Sequence, residues 1–156
     1  DSLVFDGSSL VLNASGKVIA QGKSFEEDLI YFDSNELTGE MHEQIEREEG
    51  SVYAALVLGT RDYVRKCGFR QVIVGLSGGI DSALVLALAI KALGKENVMS
   101  IVLPSKFTSA ETMKDAMQLL KNTGSAYQSI SIEPGVKAVN ESLANAFKGL
   151  RPDITV

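Results

Sequence analysis

The chain has 156 residues, of which 45% are hydrophobic, so a packed domain of ordinary size is expected and a disordered polypeptide is excluded. Its 20 acidic and 15 basic residues give a net charge of −5, and no basic run is longer than Arg65 and Lys66, which argues against nucleic acid as a partner. The single cysteine, the absence of a signal-peptide pattern and the shortness of every apolar run favour a cytoplasmic protein with no membrane partner.

The first forty residues predict short β-hairpin segments. Apolar runs separated by turn residues lie at 3–6, 9–13, 17–22 and 29–33. The polar stretch 34–40 interrupts this pattern and predicts a linker. Over residues 41–66 apolar side chains recur at helical spacing above an acidic surface, which predicts an amphipathic helix with His42 on its solvated face.

From residue 71 onward, predicted strands and helices alternate. The strands are expected at 71–76, 98–103 and 127–132, and the helices at 81–93, 109–122 and 135–147. Such βα units form a parallel sheet with flanking helices and right-handed crossovers, so the predicted fold class is α/β preceded by hairpin segments. The run Thr-Ser-Ala-Glu at 108–111 has the spacing of a capping box and supports the start of the second of these helices.

The chemistry is concentrated in the loop VGLSGGIDSA, residues 74–83, between the first of these strands and its helix. Ligands bind at the carboxyl ends of the strands in open α/β sheets. Gly75, Gly78 and Gly79 allow the backbone to approach a ligand, so that N–H groups at a helix N-terminus converge on phosphate oxygens. Ser77 and Ser82 add hydroxyl donors. The loop therefore predicts a phosphate site.

Asp81 indicates a metal, because a carboxylate beside a polyphosphate repels it unless a hard cation such as Mg2+ bridges the two. The alternative is local: Asp81 or Ser82 caps the helix and the glycines only make a tight turn. A Walker A loop does not fit, because Gly79 is followed by Ile80 and Asp81 in place of Lys-Ser/Thr. The glycine spacing also differs from the dinucleotide fingerprint.

The SGGIDS run at 77–82 resembles the loop of the ATP-pyrophosphatase superfamily, enzymes that split ATP between its α and β phosphates. The resemblance implies an adenine-nucleotide α-hydrolase-like fold, with ATP and Mg2+ as ligands and Asp81 as the metal-binding residue. It also implies nucleotide contacts from Gly75, Leu76, Ser77, Gly78, Gly79, Ile80, Asp81 and Ser82.

A second run, LPSKFTSAETMKDA at 103–116, together with the first loop and the later ISIEP, resembles glutamine-dependent NAD synthetases. This resemblance implies that Leu103, Ser105, Lys106 and Ser109 help to seat the adenosine. The alternative is an ordinary capped helix preceded by a solvated Lys106.

Residues 1–38 resemble the last strands of the nitrilase-type glutaminase domain that precedes the synthetase in that family, so residues 39–156 would begin the synthetase domain. On this interpretation the glutaminase catalytic residues lie upstream of Asp1, the deamido-NAD site lies beyond Val156, and Cys67 is an incidental cysteine.

The resemblance implies ATP-dependent amidation of deamido-NAD to NAD through an adenylated intermediate, with ammonia from glutamine, in a homo-oligomer. Three alternatives stay open. The chain could belong to another amidotransferase of the superfamily, such as GMP or asparagine synthetase. It could bind ATP without turnover. Its SGGIDS run could also be only a turn in an unrelated α/β domain.

Overall fold

The computed structural model describes residues 3–106 and 108–149. Its strands are β1 (Leu10–Leu12), β2 (Val18–Gln21), β3 (Phe32–Asp33), β4 (Thr38–Gly39), β5 (Val72–Gly75), β6 (Val98–Val102) and β7 (Ala126–Ser129). Its helices are α1 (Glu48–Lys66), α2 (Ile80–Leu93), α3 (Ala110–Thr123) and α4 (Glu133–Leu143), with a short 3-10 helix at Lys95–Asn97. The end of the chain at 153–156, from which we expected a continuation toward an acceptor site, lies outside these residues.

The second half of the chain forms a three-stranded parallel sheet in the order β5-β6-β7, with helices packed against it. This confirms the predicted fold class. Alternate residues of the central strand, Val98, Ser100 and Val102, are buried beneath α2 and α3. The core consists of Val74, Leu76, Leu86, Ala89, Val98, Val102, Ala116 and Leu120. The opposite face of the sheet carries Ile73, which is 73% exposed.

The predicted helices after β5 and β6 agree with the structure to within about one residue at each end. Their last turns end at Gly94 and Gly124, as the pattern predicted, and Gly124 adopts the left-handed conformation that closes a helix. The last helix begins at Glu133, two residues earlier than predicted, because Pro134 is accommodated in its first turn. None of the helices in the described part of the chain combines the length and apolar character that a membrane crossing requires.

Two antiparallel hairpins precede the sheet, β1 with β2 and β3 with β4. The run at 3–6 forms no strand, contrary to expectation. The linker predicted at 34–40 is also wrong, since this stretch contains the turn and second strand of the β3-β4 hairpin. Backbone N–H groups of Glu36 and Asn35 donate to Asp33 Oδ1 at 3.0 and 2.7 Å, which closes the turn and lowers the pKa of that carboxyl.

Residues 40–47 contain no helix, so the predicted helix begins at Glu48 and not at residue 41. The Gln21 N–H donates to the Glu40 carbonyl at 2.9 Å, and the His42 N–H donates to the Gln21 carbonyl at 3.0 Å. These backbone groups are therefore used by β2 and are not available to a helix. Pairing with a distant strand has overridden the local helical pattern.

His42 accordingly does not lie on a helix face. Its Nε2 lies 3.5 Å from Asp28 Oδ2, the oxygen that also accepts the Lys23 backbone N–H at 2.9 Å. The Lys23 N–H, and secondarily the His42 imidazole, lower the pKa of the Asp28 carboxyl. Through Asp28, His42 links the segment 40–47 to the loop that follows β2.

Replacing Leu86 with alanine should destabilise the protein by about 2 to 5 kcal/mol, because Leu86 is 0% exposed and its loss leaves a cavity under the sheet. Urea unfolding followed by circular dichroism measures the change. The control is Leu84→Ala on the same helix, where the side chain is 51% exposed and the loss should stay below about 1 kcal/mol. Equal losses in the two variants would contradict this description of the core.

Candidate functional site

The candidate site begins where β5 ends. The Leu76 N–H donates to the Ile101 carbonyl at 2.9 Å, which extends the pairing with β6 by one residue, and the Leu76 side chain is buried. The chain leaves the sheet at Ser77. The SGGIDS loop is thus held at the carboxyl edge of the sheet, beside the end of the central strand, where parallel sheets bind ligands.

Four hydrogen-bonded contacts shape the loop internally. The Ser82 hydroxyl accepts the Ser77 N–H at 3.2 Å and donates to the Gly79 carbonyl at 3.0 Å. The Gly79 N–H donates to Ser77 Oγ at 3.3 Å, and the two hydroxyl oxygens lie 3.1 Å apart. Both serines predicted to bind phosphate therefore also hold the loop in its shape. The site is preformed by its own side chains.

The N-cap of α2 is Gly79, with no side-chain hydrogen bond to the first turn. The alternative in which Asp81 or Ser82 caps the helix is therefore wrong, because both residues lie inside the first turn. Without a capping side chain, the first N–H groups point their partial positive charge toward solvent at the edge of the sheet. This arrangement suits an anion.

Asp81 is exposed in this first turn, close in sequence to the glycine loop. Across the described ranges, no three His, Cys, Asp or Glu side chains gather into a cluster that could hold a metal ion. Within the loop 77–82 Asp81 is the only acidic residue. A cation here would need further ligands from a bound molecule or water.

Gly78 is the point at which the loop touches α3. Its φ of +89° belongs to the left-handed region that favours glycine, and a Cβ built on it would overlap the backbone carbonyl of Thr112. The loop can approach the first turn of α3 this closely only because no side chain intervenes. Sequence reasoning did not identify Thr112, because nothing in its neighbourhood marks it as a contact of a glycine 34 residues earlier.

A cavity of about 310 Å³ lies beside the loop, between the ends of β5 and β6 and the first turns of α3. Its lining consists of Gly75, Leu76, Ser77, Ile101, Val102, Leu103, Thr108, Met113 and Ala116. The lining is mostly apolar, so the cavity can take an uncharged group next to the partially positive start of α2.

The structure separates the predicted site residues into three groups. Those that line the cavity are Gly75, Leu76, Ser77 and Leu103. Those that form the adjoining loop and first turn of α2 are Gly78, Gly79, Ile80, Asp81 and Ser82. Those that do not line the cavity are Ser105, Lys106 and Ser109.

Met113 lines the cavity although sequence reasoning did not identify it as a site residue. Together with Ala116 and Leu120 it forms an apolar stripe of α3 at helical spacing, which by itself predicts core packing. The stripe packs against the core, but its N-terminal residues, Met113 and Ala116, also line the cavity at the edge of the sheet. Only the position of α3 relative to β6 distinguishes the two roles.

The segment between β6 and α3 is ordered by short hydrogen bonds. The Ser105 N–H donates to Thr108 Oγ1 at 3.1 Å, and the Lys106 N–H donates to Glu133 Oε1 at 2.9 Å. Ser109 is the N-cap of α3, with its Oγ accepting the Thr112 N–H at 3.1 Å. The predicted capping box placed the N-cap at Thr108, but the cap is Ser109, one residue later, because the Thr108 hydroxyl accepts the Ser105 N–H. For Ser109 the capped-helix alternative is confirmed.

Cys67 follows the last turn of α1 and is exposed, in line with the expected incidental role. It does not line the cavity described above.

Comparison with known proteins identifies relatives of the chain. The family model described as NAD synthase matches residues 52–153, about two thirds of the chain. A glutamine-dependent NAD(+) synthetase of Synechocystis sp. is 44% identical over 95% of the chain and 27% of its own length. The chain therefore spans less than a third of this curated relative.

Solved structures agree with this similarity. A glutamine-dependent NAD+ synthetase from Acinetobacter baumannii, in complex with adenosine diphosphate, has a TM-score of 0.88 and 37% identity over 99% of this chain and 30% of that chain. An NH3-dependent NAD synthetase from Campylobacter jejuni, in complex with the nitrate ion, has a TM-score of 0.60 and 26% identity over 70% of this chain and 44% of that chain. The first likeness covers nearly the whole chain, the parallel sheet and its helices included.

The close approach of the loop to α3 predicts that Gly78→Ala destabilises the protein by at least about 2 kcal/mol, because the new Cβ would overlap the Thr112 carbonyl at a positive φ. Thermal unfolding checks this. Gly75→Ala is the matched control, since no atom lies within 4 Å of a Cβ built there, and it should melt close to the wild type. A Gly78 variant as stable as the Gly75 variant would rule out the packing described here.

Proposed function

The chain belongs to the NAD synthase family, and we propose that it provides the ATP site for the amidation of deamido-NAD to NAD with ammonia from glutamine. The observation that carries the proposal is the uncapped start of α2, which faces the carboxyl edge of a parallel sheet beside an apolar cavity. A triphosphate needs the first feature and an adenine base needs the second.

The loop and the first turn of α2 would bind the β and γ phosphates. Gly78 and Gly79 remove side chains from the backbone path, so that N–H groups of the loop can surround phosphate oxygens. The hydroxyls of Ser77 and Ser82 keep the loop in shape before a ligand arrives. Because these dipoles are already oriented, they would stabilise the charge that grows on the leaving pyrophosphate.

The adenine would occupy the neighbouring cavity. Leu76, Leu103 and Met113 supply apolar surface to its lining. The relative from Acinetobacter baumannii was solved in complex with adenosine diphosphate, which supports an adenine nucleotide as the ligand of this fold.

The single carboxylate of Asp81 fits Mg2+ that arrives with the nucleotide. Mg2+ in nucleotide sites is typically held by one or two carboxylates together with phosphate oxygens and water, so the three-ligand cluster that the described ranges lack is not required. Asp81 would hold the ion against the phosphates. When bound, Mg2+ would neutralise phosphate charge during the reaction.

The proposed reaction has two stages. The nicotinate carboxylate of deamido-NAD attacks the α phosphate, pyrophosphate leaves and an adenylated intermediate forms; ammonia then displaces AMP to give NAD. The attacking carboxylate is ionised at neutral pH, so no general base is needed. The residues described here serve the first stage by binding the triphosphate and its leaving pyrophosphate.

We also propose that residues 1–38 end a glutaminase domain and that residues 39–156 begin the synthetase domain. The expected boundary falls inside β4, and both hairpins share no sheet with β5-β6-β7, which supports a division closer to the start of α1. Glu40 and His42, which follow the hairpins, bond to Gln21 of β2, so these residues stay with the hairpins.

The proposed Mg2+ contact of Asp81 is tested with the variant Asp81→Asn. ATP with Mg2+ should raise the melting temperature of the wild-type protein, because a ligand that binds only the folded state stabilises it, and the shift should be smaller in the variant. In the natural full-length protein, the variant should release pyrophosphate from ATP and deamido-NAD at least about a hundredfold more slowly.

Glu96→Gln is the control for this experiment, since Glu96 is an exposed carboxylate beyond the opposite end of α2. It should behave as the wild type in both measurements. A wild-type protein that is stabilised by ATP but releases no pyrophosphate with deamido-NAD would be an ATP-binding module without turnover. An Asp81 variant with a full thermal shift and full turnover would remove Asp81 from the site.

The adenine cavity is tested with Met113→Ala. Loss of the side chain removes apolar contact with the base, so ATP affinity measured by calorimetry should fall by about five- to tenfold. Affinity for inorganic pyrophosphate should not change, because pyrophosphate would contact only the loop.

Met117→Ala is the matched control, a methionine one turn further along α3 that does not line the cavity. Its ATP affinity should equal that of the wild type. Parallel losses of ATP and pyrophosphate affinity in the Met113 variant would contradict separate binding of base and phosphates.

A further inference from the structure

Glu133 belongs to the ISIEP run, to which the proposed reaction assigns no role. It is the first residue of α4, and its side chain reaches back 27 residues, where Oε1 accepts the Lys106 backbone N–H at 2.9 Å. A side-chain oxygen that accepts a backbone N–H at this distance makes a well-formed hydrogen bond. This bond joins α4 to the segment that follows β6.

The backbone around Glu133 brings it to that position. The Ile130 N–H donates to the Val102 carbonyl at 2.9 Å, which continues the pairing of β6 and β7 beyond the last residue of β7. The Glu133 N–H donates to Ser131 Oγ at 3.3 Å, and Pro134 fixes the backbone of the first turn. Glu133 is therefore presented on an ordered turn, half-buried at the edge of the sheet.

The segment that Glu133 holds forms part of the cavity wall. Leu103 lines the cavity at one end of the segment and Thr108 at the other, and Thr108 Oγ1 accepts the Ser105 N–H between them. The Lys106 N–H projects from the middle of this stretch to Glu133. Movement of the segment at Lys106 would therefore displace both Leu103 and Thr108 and alter the shape of the cavity.

We propose that Glu133 is a positioning residue for nucleotide binding: it fixes the segment 103–106 through the Lys106 N–H and so sets the wall of the adenine cavity. The inference rests on the proposed function, since it assigns the cavity to the base of ATP. Because Glu133 bonds a backbone amide, its role needs an acceptor oxygen and not a negative charge. Glutamine can supply that acceptor and alanine cannot.

The experiment compares Glu133→Ala, Glu133→Gln and Glu141→Ala in the natural full-length protein. Glu141 serves as the control. It is an exposed carboxylate on the same helix, and it forms an ion pair with Lys137 at 3.8 Å. Steady-state kinetics should give a KM for ATP about tenfold higher in Glu133→Ala. The value of kcat should stay within about threefold of the wild type, since the phosphate loop is untouched.

Glu133→Gln should restore the KM for ATP to near the wild-type value, and Glu141→Ala should leave it unchanged. A purely structural role would lower the melting temperature of Glu133→Ala without separating KM from kcat. An unchanged KM in Glu133→Ala, or a Gln variant as impaired as the Ala variant, would overturn the inference.

Hydrogen exchange separates failure of this inference from failure of the proposed function. Without nucleotide, the peptide that contains Lys106 should exchange faster in Glu133→Ala than in the wild type, whatever the protein does with ATP. A wild-type protein that neither binds ATP nor turns it over would refute the proposed function, and with it the role in nucleotide binding. An intact ATP site with unchanged exchange at Lys106 would refute the role of Glu133 alone.

Discussion

The candidate site depends on the contact between Gly78 and the first turn of α3. The loop after β5 must pass so close to the Thr112 carbonyl that only glycine, at a positive φ, leaves room for it. This approach brings the uncapped start of α2 and the apolar side chains of Met113 and Ala116 on α3 to the same edge of the sheet. The charged and uncharged parts of the site are adjacent because the backbones of the two elements touch.

The loop contributes electrostatic interactions to the site, and the cavity contributes apolar packing. At the loop, oriented N–H groups and the hydroxyls of Ser77 and Ser82 are arranged before any ligand binds, which avoids the cost of ordering them during binding. In the cavity, Leu76 and Met113 belong at the same time to the hydrophobic core and to the lining. The core that stabilises the sheet therefore also determines the shape of the pocket.

Hydrogen bonds between distant segments hold the parts of the chain in place. Glu40 and His42 pair with Gln21 of β2, and the segment after β6 bonds to Glu133 at the start of α4. Each bond joins residues about 20 or more positions apart, and each involves a backbone group that local sequence would assign to a helix or a loop. Such pairings fix the relative positions of segments that the chain itself leaves far apart in sequence.

Sequence alone determined the alternating strands and helices after residue 71, the glycine loop between β5 and α2 and the ends of the helices at Gly94 and Gly124. These features depend on periodicity, turn residues and backbone freedom, which are properties of neighbouring residues. Tertiary structure decided that residues 40–42 pair with a strand in place of starting a helix, that Ser109 caps α3, and that Thr112, Met113 and Glu133 lie around the site. In these cases the deciding partner is distant in sequence, so no local pattern contains the information.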